Sequence, residues 1–221
     1  MDSVLEKQQS WWEDRAKQYY ETMFITDTVK NYITGRRAAL AIDRLKEGAR
    51  FLDLGVGTGT IFEEIIRKSD VRGFGMDYTK NMVKIARKKT GNKNANFLQG
   101  NGVSLPFSDR SFDLVFSVDV FHHIAFEGLD WVDKALCEAN RVLKPGGMLL
   151  IYEANPLNVY WYYYMRKIGE DNARLMRNGF LRRKIRKAGF SLNGGSYIGF
   201  VPQFLSPKGL RVFGRIECLI E

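Results

Sequence analysis

Between residues 50 and 153, short apolar runs alternate with longer amphipathic ones. The runs lie at 50–54, 71–77, 96–99, 113–118 and 148–152. The segments 60–68, 79–89 and 131–143 carry apolar residues at helical spacing. Apolar strands separated by helices belong to parallel sheets covered on both faces. Right-handed crossovers between such strands build a doubly wound α/β sheet. The chain is therefore expected to be α/β, with a mostly parallel sheet and helices on both sides.

Length and composition agree with that expectation. A chain of 221 residues with 45% hydrophobic and 27% charged residues can bury a core of its own as one domain. The two cysteines, Cys137 and Cys218, supply neither a disulfide framework nor a zinc spacing, which fits a reducing, cytoplasmic setting. The N-terminus lacks a basic stretch followed by an apolar one, and no apolar stretch reaches the ~18–20 residues of a membrane span. A net charge of +9 admits an anionic partner; a well-solvated basic surface accounts for it equally.

The flanks differ from the core. Residues 1–45 are expected to be helical and amphipathic, with Trp11, Trp12, Tyr19 and Tyr20 on repeating faces. They form either a lid over a site or a packed helix. After Asn155-Pro156 the alternation stops. An aromatic cluster occupies 160–164 and a basic run 166–187, followed by an expected strand near 197–201. The basic run suits the phosphates of a lipid surface or an RNA, or a solvated helix face. Residues 208–221 place Leu210, Phe213, Ile216 and Ile220 at helical spacing, and no strand is evident after 205.

The chemistry concentrates in F-L-D-L-G-V-G-T-G-T at 51–60. A strand, a glycine turn and a helix start together make a nucleotide-binding crevice at the carboxyl edge of a parallel sheet. Gly55 and Gly57 permit tight backbone and close ligand approach, and the helix beginning at Gly59 or Thr60 offers free N–H groups. Asp77 ends the second strand, 20 residues after Gly57, where a carboxylate can accept both hydroxyls of a ribose. A dinucleotide fingerprint wants its third glycine at position 60, which is Thr60 here. Asp53, two residues before Gly55, suits a cofactor with an ammonium group better than a pyrophosphate. The loop alone leaves S-adenosylmethionine, a dinucleotide and a structural turn open.

Three further blocks follow in order: G-F-G-M-D-Y-T-K-N-M-V-K-I-A-R at 73–87, N-G-V-S-L-P-F-S-D-R-S-F-D-L-V-F-S-V-D-V-F-H-H-I at 101–124, and R-V-L-K-P-G-G-M-L-L-I at 141–151. With the glycine loop, residues 50–154 resemble the class I S-adenosylmethionine-dependent methyltransferases, in particular the ubiquinone/menaquinone-biosynthesis-like type 11 group. The resemblance implies a Rossmann-like sheet that usually ends on an antiparallel strand, which this chain is expected either to lack or to be cut before. It divides the chain into an N-terminal lid (1–45), a cofactor-binding core (46–154) and a substrate-side elaboration (155–221).

It also implies residue roles. Gly55 and Gly57 bring backbone to the methionine part of the cofactor, Gly59 joins the cofactor-binding loop, and Asp53 orients the amino-acid end. Asp77 holds the ribose, Tyr78 and Met82 pack on the adenine, and Asn101 and Gly102 meet the adenine amine. Ser117, Val118, Phe121 and His122 line the sulfonium side. His122, His123 and Asp119 are candidate acid–base residues, with pocket-shaping as the alternative for each. The implied reaction is methyl transfer from S-adenosylmethionine to a small-molecule or lipid-like acceptor, leaving S-adenosylhomocysteine, with no metal. An RNA or protein methyltransferase and a catalytically silent cofactor- or partner-binding protein are the rival readings. The basic and aromatic C-terminal region is a candidate for peripheral membrane contact.

Overall fold

In the computed structural model, the described residues are Ser10, Glu13, 27–153 and 178–193. Helix α1 (Asp27–Ile42) precedes strand β1 (Arg50–Leu54), helix α2 (Thr60–Lys68), β2 (Arg72–Asp77), α3 (Lys80–Thr90), β3 (Ala95–Gln99) and β4 (Phe112–Val118). A short α4 (Phe121–Ile124) and one 3₁₀ turn lead into α5 (Leu129–Val142), β5 (Leu143–Tyr152) and, further on, α6 (Asn178–Lys187). The five strands form one sheet in the order β3-β2-β1-β4-β5, all neighbours parallel. The order reverses between β1 and β4, and ligands bind at such a switch point, outside the carboxyl ends of the strands.

Period-two alternation sends strand side chains to two cores. Phe51, Leu114 and Phe116 face the layer of α1, α2 and α3, against Ala38, Phe62, Ile65 and Ala86. Leu52, Leu54 and Val115 face the other layer, against Val132, Leu136 and Ala139 of α5, with Phe180, Leu181 and Ile185 of α6 packed outside. Phenyl rings anchor both layers: Phe62 lies 5.1 Å from Phe51 and 4.8 Å from Phe97, and Phe112 lies 5.3 Å from Phe74 and 4.9 Å from Phe107. Each fully buried ring removes enough apolar area to contribute about 1.5–3 kcal/mol.

Strands β1 to β4 fall within a residue of their expected places, whereas β5, expected at 148–152, begins at Leu143. The helix expected at 131–143 runs instead from Leu129 to Val142, and Lys144-Pro145-Gly146-Gly147 lies within β5. These four residues bulge between the Phe112–Leu143 and Leu114–Met148 pairs. Lys144 caps the bulge by donating to both oxygens of Asp113, which also accepts from the Arg50 N–H. The aromatic cluster, the expected strand near 197–201, residues 208–221, and Trp11, Trp12, Tyr19 and Tyr20 lie outside the described residues.

One arginine fastens the loop before β4. Arg141 of α5 donates to both oxygens of Glu138, to Asp109 and to the carbonyls of Leu105 and Phe107. Glu138 in turn accepts the Leu105 N–H at 2.7 Å. Arg141→Lys keeps the charge but loses the planar fork. Both Arg141→Lys and Arg141→Ala are expected to lower unfolding free energy, the alanine by about 2 kcal/mol, in urea titrations followed by circular dichroism.

Candidate functional site

At the carboxyl edge of β1, β2 and β4 lies a cavity of about 200 Å³. The glycine loop forms its floor. Gly55 and Val56 donate to the Met76 carbonyl, at 2.8 and 2.9 Å, which bends the chain back onto β2. The three glycines are needed for different reasons. Gly55 has φ 80°, and a Cβ there would stand 2.2 Å from Cγ2 of Val120. Gly59 has φ 75° and lies against Ala86, where a Cβ would be 2.9 Å from another. A Cβ on Gly57 would meet nothing. Gly57 borders the cavity, whereas Gly59 is a packing residue behind it.

Asp77 organises the β2 side. One carboxylate oxygen accepts the Gly57 N–H at 2.9 Å and the other the Thr79 N–H at 2.8 Å. Burial pushes its carboxyl up, and these two bonds pull against that rise. Thr79 occupies the N-cap of α3, but its side chain makes no cap bond to the helix. The cap comes from 67 residues upstream: the Glu13 carboxylate accepts from Lys80 N at 2.8 Å and Asn81 N at 3.0 Å. A carboxylate on a helix N-terminus satisfies free donors and complements the helix dipole. Nothing around position 13 announces this contact in the sequence.

Asp53 is the second buried acid, only 4% exposed. Burial, with the Asp77 charge added, pushes its carboxyl up to about 8 from 3.8. A raised folded-state value gives stability that is full below about pH 4 and is lost as pH rises toward about 8. The ligand-free chain is expected to show a falling thermal midpoint across that window, with Asp53→Asn flattening this part of the profile. A cation in the cavity favours the ionised form. Binding a cationic ligand near neutral pH is therefore expected to release protons, measurable by calorimetry in buffers of different ionisation enthalpy.

Of the other sequence candidates, Tyr78, Met82, Asn101, Gly102, Val118, Asp119 and His123 border the cavity. The side-chain oxygen of Asn101 accepts the Val103 N–H at 3.1 Å, so this acceptor already holds its own turn. Ser117, Phe121 and His122 do not border it. Each is at most 1% exposed, and Phe121 packs within the α5-side core. His122 is instead part of a buried support. Its Nδ1 lies 2.7 Å from Glu153, whose other oxygen accepts the N–H groups of Val120 and Phe121 at the start of α4. Glu153, an acid at the carboxyl end of a parallel strand, was legible from I-Y-E at 151–153. His123 lies 4.0 Å from His122 between ring centroids, and burial with the neighbouring His122 holds its imidazole well below the ordinary range. It is therefore neutral near pH 7, and the same burial and neighbouring His122 oppose its taking a proton.

The structure also brings in Arg37, which no motif marks. From α1 it reaches the cavity and pairs with Asp119 at 2.9 Å. Among the described residues the lining thus holds Asp53, Asp77 and Asp119 against one arginine, an acidic wall in a chain of net charge +9. That polarity fits a cationic ligand carrying a diol. Among the described residues, no cluster of three or more His, Cys, Asp or Glu is arranged to hold a metal ion, and no helix is long and apolar enough to cross a membrane.

Residues 52–151 match the family described as "Methyltransferase domain". The chain is 31% identical over 150 residues to the ubiquinone/menaquinone biosynthesis C-methyltransferase of Serratia proteamaculans, covering 61% of this chain and 58% of that one. It is 36% identical over 107 residues to the probable tRNA methyltransferase 9B of Mus musculus, covering 48% of this chain and 22% of that one. The chain thus spans only part of the curated relatives it matches. Among solved structures, it is similar to the methyltransferase in complex with the Haloferax volcanii Trm112 methyltransferase activator. The TM-score is 0.65 at 28% identity, over 80% of this chain and 75% of that one. Sheet order, glycine loop and matched segment agree: over residues 52–151 this chain is similar to the methyltransferase domain, and its sheet is the Rossmann-like one of the methyltransferases it matches.

Proposed function

We infer that the chain transfers the methyl group of S-adenosylmethionine to a small-molecule or lipid-like acceptor. The observation that carries this reading is the Asp77 carboxylate closing on the glycine loop inside an acidic cavity. Asp77 would hold the ribose hydroxyls, and the open face of Gly57 would receive the methionine part. Tyr78 and Met82 would flank the adenine. Bound there, the cofactor supplies an activated methyl on a sulfonium. The chain's own work is to orient and to exclude water; fixing two reactants in line accounts for ~7–11 kcal/mol of such a barrier. His123, neutral and at the cavity wall, would shape the acceptor side of the pocket, its lowered basicity suiting it poorly to general-base work.

The acceptor class rests on relatives such as the Serratia C-methyltransferase. A second reading, methylation of RNA or protein, is favoured by the tRNA methyltransferase 9B relative and the Trm112-bound neighbour. The basic helix α6 is compatible with it: Arg183, Arg186 and Lys187 are exposed. One experiment separates the two. The chain is incubated with S-adenosylmethionine and either a reduced quinone or bulk tRNA, with and without a Trm112-type activator, and S-adenosylhomocysteine is measured. Turnover with the quinol supports the first reading. Turnover only with tRNA overturns it in favour of the second.

A further inference from the structure

Arg37 and Asp119 have a geometry that an ordinary structural ion pair does not need. The guanidinium lies 2.9 Å from Oδ2 of Asp119 and 4.5 Å above the Tyr152 ring. Oδ1 of Asp119 is buried and has no hydrogen-bond partner. Buried polar atoms are rarely left so, and an orphan at a cavity wall points to a ligand. Asp119 also has φ 55°, one of two non-glycine residues in the left-handed region among those described. Its N–H donates to the Tyr152 carbonyl at 2.8 Å, which holds that backbone in place. Strain of this kind costs on the order of 1–3 kcal/mol and persists where the surroundings enforce it, often at sites of function.

Position narrows the ligand. The register pairs Leu54 with Ser117, so Asp119, two residues further on, stands beside the start of the glycine loop. Asp77 stands on β2, on the far side of β1. The cavity therefore has a diol-reading carboxylate at one end and a cation–anion pair at the other. A guanidinium beside a carboxylate with one open oxygen is complementary to a zwitterion: the first takes a carboxylate in a fork, the second an ammonium. We propose that Arg37 and Asp119 together bind the α-amino-acid end of the cofactor. The proposal rests on the cofactor reading above. It assigns Asp119 to cofactor recognition instead of acid–base chemistry, and leaves Asp53 as a neighbouring buried carboxyl that feels the bound ammonium.

The test compares two ligands by calorimetry and needs no acceptor. S-adenosylhomocysteine carries the amino-acid end; 5′-methylthioadenosine keeps the adenosine and the thioether but lacks it. The native chain is expected to prefer the first. Asp119→Asn and Arg37→Ala are expected to weaken S-adenosylhomocysteine roughly 10- to 100-fold, as for lost charged hydrogen bonds, and to leave methylthioadenosine nearly unchanged. Arg37→Lys, which keeps the charge without the fork, is expected to fall between. An unaltered preference in the variants, or equal loss of both ligands, overturns the proposal and makes the pair a structural one. A native chain that binds both ligands equally also overturns it. A folded native chain that binds neither removes the cofactor reading itself.

Discussion

Asp77→Ala is expected to lose S-adenosylmethionine binding by about 100-fold or more while the protein stays folded. Two hydrogen bonds donated by ribose hydroxyls to a charged carboxylate, at about 1.5–3 kcal/mol each, set that scale. The stability effect is smaller because two terms oppose. The variant strands the N–H groups of Gly57 and Thr79, which now donate to Asp77 at 2.9 and 2.8 Å. It also removes a buried acid whose carboxyl burial has pushed up, and that acid is costly to ionise in the folded chain. Asp77→Asn retains one acceptor oxygen and should keep more of the loop but little of the ribose contact. Calorimetry and thermal unfolding, read together, separate the two effects. A variant that unfolds outright would mean that Asp77 is chiefly a fastener for the glycine loop.

The second large effect is expected at Gly55. Gly55→Ala places a Cβ 2.2 Å from Val120 Cγ2 at a residue with φ 80°. The left-handed backbone costs an L-residue about 1–2 kcal/mol and the overpacking about 1–3, so a loss of roughly 2–4 kcal/mol is expected. Chemical unfolding should detect it easily. The two parts can be divided. Val120→Ala in the same chain makes room for the added carbon but does nothing for the backbone, so the double variant should recover only the packing share. Gly57→Ala, at φ 53° with no atom within 4 Å of the added carbon, should cost only the backbone share of about 1–2 kcal/mol, and ligand binding more. Equal losses at Gly55 and Gly57 would contradict this division of labour.

The sheet was legible because its signal is local and repeated. Each buried strand is short and apolar, each crossover is amphipathic, and the glycine loop marks the edge where they converge. Asp53 and Asp77 were legible for the same reason: each ends or nearly ends a strand that the pattern had already located. The details that escaped are of another kind. Glu13 and Arg37 act at a distance from the glycine loop in sequence, on contacts only the folded chain creates. No spacing rule connects position 13 to the start of α3. His122 and His123 look alike in sequence, yet a helix turns adjacent residues in different directions, sending one to Glu153 and the other to the cavity wall. The bulge at 144–147 was hidden because Pro-Gly-Gly reads as the close of a helix, whereas here Asp113 and Lys144 keep it inside the strand.

The central claim is that the cavity at the junction of β1 and β4 receives S-adenosylmethionine. Titration calorimetry of the native chain with that compound near neutral pH tests it most directly. Saturable one-to-one binding, with protons released as the buried Asp53 carboxyl ionises, is the predicted result. A folded chain that takes up no S-adenosylmethionine would contradict the claim.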